Sequence, residues 1–466
     1  MKRAVAIGLL GVLGLAGCVS GPNYKIPATA VAEQPHARGA FLGSAEPAYV
    51  QADPPDRWWR LYDDPRLDGY VAEALAANRD LKAADANLRR ASFIAREAEI
   101  ARQPTAVITA GGGLDKALLV NNALPGPFAY ALGATVSWPL DLAGGIRRGI
   151  EAARDESESV KAARDEVRVT VAAGVALSYA DACSANVTLA AARRTVEVQA
   201  RTLDTTSRLF AAGRGTAFDV SRAQAAFEDA KAEIPTILFR RQAALYELAV
   251  LMGRVPADYP REVETCATAP SIDRPLPIGD GAGLIRRRSD IRAAERMLAA
   301  STAEIGVQVA QLYPQVSLGG SIGSSGAARG FGNALQDYMS FGPLISWTFP
   351  NRSMARARIA EAKAGADVAE AQFDSVVLSA LRQTETSLTA YARELDHDES
   401  LERSRDASAR AESQAEALYL RGRTSLVDLL VAQQSLAHAE LALASSKAEL
   451  TDRQIDVFLA LGGGWR

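Results

Sequence analysis

Apolar residues recur along this chain in two periods, and the periods alternate in the same order twice. From Leu67 to about Gln103, the residues Leu67, Val71, Ala74, Leu75, Leu81, Ala84, Leu88 and Ala91 return near the 3.6-residue period of an amphipathic helix. Pro104 ends the pattern, because the residue before a proline is pushed out of the helical region. The period then drops to two. Pro104–Gly113 is small and apolar. Phe128–Trp138 alternates, with Phe128, Tyr130, Leu132, Ala134, Val136 and Trp138 on one face and Ala129, Ala131, Gly133, Thr135 and Ser137 on the other. Leu114–Pro127 reads as a loop. Helical pattern returns near Gly145 and persists to Ala212, about 100 Å at helical rise. So long a run predicts either an extended coiled coil or one break. Gly213-Arg214-Gly215-Thr216 stops it. A further helix is expected from Ala217 to Met252, with Pro235 kinking or dividing it. Arg254–Pro277, rich in Pro and Thr, reads as a linker.

The second half repeats the first. Helix is predicted from Gly279 to Leu312. Pro314–Ser325 alternates, with Val316, Leu318 and Ile322 opposite Gln315, Ser317, Gly319, Ser321 and Gly323. Gly326–Asn333 reads as a loop. Over Tyr338–Phe349, the residues Met339, Phe341, Pro343, Ile345, Trp347 and Phe349 share a face. A helical run from Met354 to Leu420 stops at Gly422-Arg423-Thr424, and a last helix reaches Leu461 before three glycines. Asp80 and Asp290, Leu88 and Leu298, and Pro104 and Pro314 each lie 210 positions apart. Trp138 and Trp347, Ile150 and Ile359, Gly213 and Gly422, Asp219 and Asp428, Gln224 and Gln433, and Gly253 and Gly462 each lie 209 apart. One register held over so long a stretch marks a duplication, with repeats over 66–253 and 279–462, a linker at 254–278 and a tail at 463–466.

The N-terminus changes the picture. Lys2 and Arg3 precede an apolar run, Ala4–Leu15, too short to span a bilayer. It ends in Leu15-Ala16-Gly17-Cys18, which resembles a bacterial lipoprotein box. Residues 1–17 then read as a signal peptide, and Cys18 as the site of N-palmitoyl and S-diacylglycerol attachment, a firm multi-chain anchor. Neither Val19 nor Ser20 is the Asp that commonly retains such proteins at the inner membrane, which favours the outer membrane. Ser20 to about Pro55 reads as an extended tether within an N-terminal segment, 18–65. Trp58-Trp59-Arg60-Leu61-Tyr62 before Asp64-Pro65 suggests a packed helix start.

Composition excludes more than it assigns. A net charge of −3 offers no basic field for nucleic acid. Aromatics are 6% against 48% hydrophobic residues, a balance that favours closely packed helices. Cys183 reads as a small buried hydrophobe and Cys266 lies in the linker; an oxidising compartment would permit them to pair, and the sequence leaves that open. Neither the cysteines nor His36, His397 and His438 have metal or redox spacing. Gly213-Arg214-Gly215 and Gly279-Asp280-Gly281 lack the surroundings of a phosphate loop and read as helix punctuation. No catalytic constellation, metal site or cofactor motif is present, so an enzyme is not expected.

Strands of this length with one apolar and one small or polar face fit a transmembrane barrel, with Trp138 and Trp347 near a membrane interface. Four strands cannot close a barrel, and open edges cannot sit in lipid, so at least two chains must share one. Two ordinary hairpins packed on a soluble core are the competing architecture.

The chain resembles the outer membrane factors of tripartite efflux systems, the family of TolC and OprM, in its lipoprotein branch. The resemblance lies in Cys18-Val19-Ser20-Gly21-Pro22-Asn23-Tyr24, in Trp58 through Leu67, in Arg286-Arg287-Arg288-Ser289-Asp290-Ile291-Arg292-Ala293-Ala294-Glu295, in Ile305-Gly306 and Tyr313-Pro314, and in Leu461-Gly462-Gly463-Gly464-Trp465. It implies a mainly α, TolC-like fold: a homotrimer with a twelve-stranded barrel in the outer membrane, four strands per subunit, above a long periplasmic helical tunnel. It implies a passive duct for drugs or other small molecules, with a periplasmic adaptor and an inner-membrane pump as partners. A non-pore scaffolding lipoprotein is the alternative. By resemblance, the turns Gly213–Asp219 and Gly422–Asp428 are the closed periplasmic end. Gly213, Arg214, Asp219, Gly422 and Arg423 are then adaptor-contact candidates, and Val427, Asp428 and Val431 constriction candidates. Many relatives carry Asp where this chain has Val431. Asp219 and Asp428 also suit the first turn of a helix on dipole grounds alone.

Overall fold

Each copy of the repeat folds into two short helices, two strands and two long helices. The computed structural model describes residues 19–114, 128–327, 337–349 and 352–463. Cys18, the signal segment, Gly464, Trp465 and most of both predicted loops lie outside the described residues. The first copy comprises α1 (Pro65–Ala77), α2 (Arg79–Ile100), β1 (Thr105–Leu114), β2 (Phe128–Leu140), α3 (Gly145–Ala211) and α4 (Ala217–Leu251). The second comprises α5 (Gly281–Arg287), α6 (Ser289–Ala310), β3 (Gln315–Ala327), β4 (Asp337–Ser346), α7 (Arg352–Leu420) and α8 (Leu426–Ala460).

One compact unit gathers Met1–Ala28, Asn87–Lys161 and Ala293–Asp374. It holds a four-stranded antiparallel sheet in the order β1-β2-β3-β4. The two copies join where β2 pairs with β3, Ala134 opposite Ile322 and Leu132 opposite Ser324. The N-terminal segment is strapped down beside it. Ser20 N–H donates to the carbonyl of Ala143, just past β2. The buried Arg148 guanidinium donates to the Ser20 carbonyl at 2.9 Å and to Asn23 Oδ1 at 2.7 Å. Gly21, at φ +82°, passes so close to Gly306 that a Cβ on it would sit 2.5 Å from the Gly306 Cα. The extended tether is pinned at its start, by contacts far apart in sequence.

The other unit gathers Thr29–Ala86, Ala162–Arg292 and Ser375–Arg466. Its core packs Trp58, Leu67, Val71, Tyr179, Leu245, Leu248, Leu284 and Phe458. Trp58 stacks on Phe458 with ring centroids 5.1 Å apart. Ala172, Ala176, Ala180 and Ala182 on α3 are buried; their small side chains let neighbouring elements approach closely.

One expectation changes, and two alternatives left open narrow to one. The first predicted helix of each copy is two helices, broken at Asn78 and at Arg288, which lie 210 apart. Both residues turn extended (ψ 137° and 127°) and reach the end of their own copy's last helix. Asn78 donates to the Leu251 carbonyl at 3.0 Å and accepts from Leu81 N–H; Arg288 donates to the Ala460 carbonyl at 2.8 Å. Pro235 does not divide α4, which runs unbroken through it. The proline is exposed, so water can serve the Lys231 carbonyl that loses its intrahelical donor. The long helix α3 has no break at all.

Cys183 is buried, as expected, but bonded to Cys266 across 83 positions, Cα to Cα 5.4 Å. Asn186 Nδ2 secures the same junction by donating to the Val263 carbonyl at 3.0 Å. The staple ties the inter-repeat linker to α3. Closing a loop of that length removes up to about 4.5 kcal/mol of unfolded-chain entropy. The Cys183→Ala/Cys266→Ala double variant is therefore expected to melt at lower temperature than the oxidised protein by circular dichroism. Treatment with a thiol reductant should lower the wild-type melt and leave the variant's unchanged; coincident melts would refute the staple.

Candidate functional site

The register of the sheet sorts its side chains by face. Directly paired residues share a face, so Ile108, Ala134, Ile322 and Met339 lie together, as do Val136, Gly320 and Phe341. The opposite face carries Thr109, Gly133, Gly323 and Tyr338, and Thr135, Ser321 and Ser340. Ile108, Met339 and Phe341 are each about 80% exposed or more, a contiguous greasy surface with no cover among the described residues. Aromatic rings lie over the strand glycines: Phe128 over Gly112, Phe341 over Gly320, and Tyr338 over Gly323. Trp138 donates from Nε1 to the Arg102 carbonyl at 3.1 Å. Trp347 lies one residue past β4, which ends at Ser346 rather than Phe349, and packs on Phe349 with centroids 5.5 Å apart. No helix among the described residues is long and apolar enough to cross a membrane.

The two interhelical turns, α3–α4 and α7–α8, share one construction. Gly213 and Gly422 sit at φ +71° and +69°, where a Cβ is strained. Each closes a Schellman motif. Gly213 N–H bonds to the Phe210 carbonyl and Arg214 N–H to that of Leu209; Gly422 N–H bonds to that of Tyr419 and Arg423 N–H to that of Leu418. The Arg214 and Arg423 guanidinium groups are exposed, with no ion pair among the described residues. The following helices open with capping boxes, Thr216 with Asp219 and Ser425 with Asp428.

Asp428 takes more donors than Asp219. Its Oδ2 accepts from Ser425 Oγ at 2.7 Å, Thr424 Oγ1 at 2.8 Å and Ser425 N–H at 3.2 Å. The Ser425 hydroxyl first, then that of Thr424 and the Ser425 N–H, hold this carboxyl below its ordinary pKa. Val427 and Val431, one turn apart, are exposed. Within the first repeat, Phe218 and Arg222 are residues the sequence reading did not single out. The 209-residue register makes them the counterparts of Val427 and Val431, and that register was the available signal. No group of three His, Cys, Asp or Glu side chains among the described residues is placed to hold a metal.

A sheet with an exposed apolar face and long helical hairpins are the parts expected of a channel subunit. The chain matches the family described as outer membrane efflux protein over residues 70–254 and 283–463, and it belongs to that family. It is 29% identical to nodulation protein T of Rhizobium leguminosarum bv. trifolii, over 97% of this chain and 95% of that one. It is 28% identical to outer membrane protein OprJ of Pseudomonas aeruginosa, over 98% and 95%. The solved outer-membrane channel OprN superposes with a TM-score of 0.88 at 33% identity, covering 96% of this chain and 100% of that one. The chain is thus an outer-membrane efflux duct of TolC-like fold. Channels of this family are trimers that work with efflux pumps in tripartite systems.

The capping box fixes a pH response. The folded pKa of Asp428 is depressed, so its contribution is full above the ordinary carboxylate range and is lost as pH falls through the depressed value. Ser425→Ala removes the strongest donor and raises that pKa. Hydrogen exchange at the first turn of α8, corrected for intrinsic rates, should accelerate on acidification at a higher pH in Ser425→Ala than in wild type. Onset at the same pH would show that the hydroxyl does not hold the carboxylate.

Proposed function

We propose that three copies of this chain form a lipid-anchored export duct that carries drugs or other small molecules from an inner-membrane pump and its periplasmic adaptor out of the cell. The observation that carries it is the sheet: four strands, one apolar exposed face and two edges without strand partners among the described residues. Pairing β4 of one copy with β1 of the next closes a twelve-stranded barrel and satisfies every edge. The repeats at 66–253 and 279–462 each supply two strands and two long helices, and 18–65 with the linker 254–278 belts them.

Anchoring at Cys18 suits the strap geometry. Val19 and Ser20 lie against Gly144 and Ala143, where β2 hands over to α3, so acyl chains on the preceding residue would start at the foot of the sheet. Labelled palmitate should enter the wild-type protein and not Cys18→Ser; equal labelling would move the anchor elsewhere. Trp138 and Trp347 would lie at the membrane interface, the latter beside Phe349.

The exposed turns carrying Gly213, Arg214, Asp219, Gly422 and Arg423 would meet the adaptor. Val427, Asp428 and Val431 would ring the closed throat, three carboxylates attracting cations between apolar rings. Purified protein should run as a heat-resistant oligomer and conduct in planar bilayers. Asp428→Ala should raise single-channel conductance and weaken block by multivalent cations. An oligomer that never conducts would overturn the duct; unchanged conductance and block in Asp428→Ala would overturn the throat assignment alone.

A further inference from the structure

The throat residues named above all come from the second repeat, yet the first repeat carries a stripe at the same helical positions. With the 209-residue register, Phe218, Arg222, Ala225 and Asp229 on α4 are the counterparts of Val427, Val431, Gln434 and His438 on α8. The spacing i, i+4, i+7, i+11 puts each set on one face of its helix. Part of each stripe lines one groove of about 640 Å³: Arg222, Ala225 and Asp229 from α4 and Gln434 and His438 from α8, together with Gln199 of α3. Phe218 is 67% exposed, more than Val427 at 37%. The Arg222 guanidinium lies over the Phe218 ring, 5.5 Å from its centroid, and has no ion pair among the described residues.

We propose that Arg222 is a selectivity-determining residue of the throat: three copies form a basic ring just inside the acidic level of Asp428, flanked by apolar Phe218. The inference rests on the reading of the α8 tip as the closed end. Asp428 has Asp219 as its counterpart, and Arg222 follows Asp219 by one turn of helix, about 4.5 Å along the axis. On that register the Arg222 level follows the carboxylate level by less than the Debye length of about 8 Å at physiological salt, so the basic ring offsets the cation attraction of the carboxylates. At the counterpart position the second repeat carries uncharged Val431. The throat then discriminates weakly between small cations and anions, where a purely acidic ring would favour cations.

Reversal potentials of single channels in a KCl gradient test this. Arg222→Ala and Arg222→Gln, the second keeping polar bulk against Phe218, should both shift the reversal potential toward potassium selectivity and raise the K⁺/Cl⁻ permeability ratio severalfold. Arg222→Lys, which keeps the charge, should stay at the wild-type value. Asp428→Ala should shift the potential the opposite way. All shifts should shrink at molar salt, where the Debye length falls to about 3 Å. If Asp428→Ala shifts the potential and the two neutral Arg222 variants do not, Arg222 lies off the path and this inference fails alone. If none of them shifts it, the reading of the tip as the throat fails as well.

Discussion

A backbone N–H or C=O in hydrocarbon must find a partner, and that constraint governs the rest of this structure. Each unsatisfied group costs several kcal/mol in lipid. The sheet satisfies its inner strands and leaves one row of groups along β1 and another along β4. Its greasy face resists water as firmly as its edges resist lipid. One arrangement answers both: edges closed on other copies of the chain, and the apolar face turned to the membrane. Duplication serves the same end, since each copy brings one hairpin and the β2–β3 pairing fuses the two into one sheet.

The helices obey the related rule that their ends must be capped. Four helices end on a glycine at positive φ, at Gly213, Gly253, Gly422 and Gly462, and each closes with the same pair of backbone bonds. At Gly213 and Gly422 a Cβ would meet open space, so only backbone conformation selects glycine. At Gly253 a Cβ would fall 2.6 Å from the Ala77 carbonyl oxygen, so close packing against α1 selects it as well. The same residue type thus records a free turn in one place and a packed junction in another.

Much of this was legible in the sequence because period and punctuation are local. The alternation over Phe128–Trp138 gave the faces of β2, and Gly213 and Gly422 gave the turns. The Thr216–Asp219 and Ser425–Asp428 spacings are likewise local signals of helix starts. What escaped reading is non-local. Asn78 interrupts a good helical pattern because the Leu251 carbonyl, far along the chain, competes for its side chain. Cys183 and Cys266 meet only because the linker folds back on α3. The strap at Ser20–Asn23 depends on Arg148 and on the close approach of Gly21 to Gly306, and neither can be inferred from composition. At the tips the sequence located the turns and the carboxylates, but only the groove shows that α4 and α8 face one space.

The two repeats agree where backbone geometry leaves no choice and differ where only a side chain is at stake. Positive-φ glycines and capping carboxylates recur at fixed offset. The helix breaks recur in place but not in chemistry, since Asn78 and Arg288 each reach a carbonyl of the terminal helix with a different group. Along the tip stripes the divergence is one of charge: Arg222 against Val431, and Asp229 against His438. A fold constraint would have kept those pairs alike, because both stripes hold the same place on equivalent helices. Their difference does not touch the buried core. It does change the field in the space they share, and there a duplicated scaffold can be tuned without disturbing its fold.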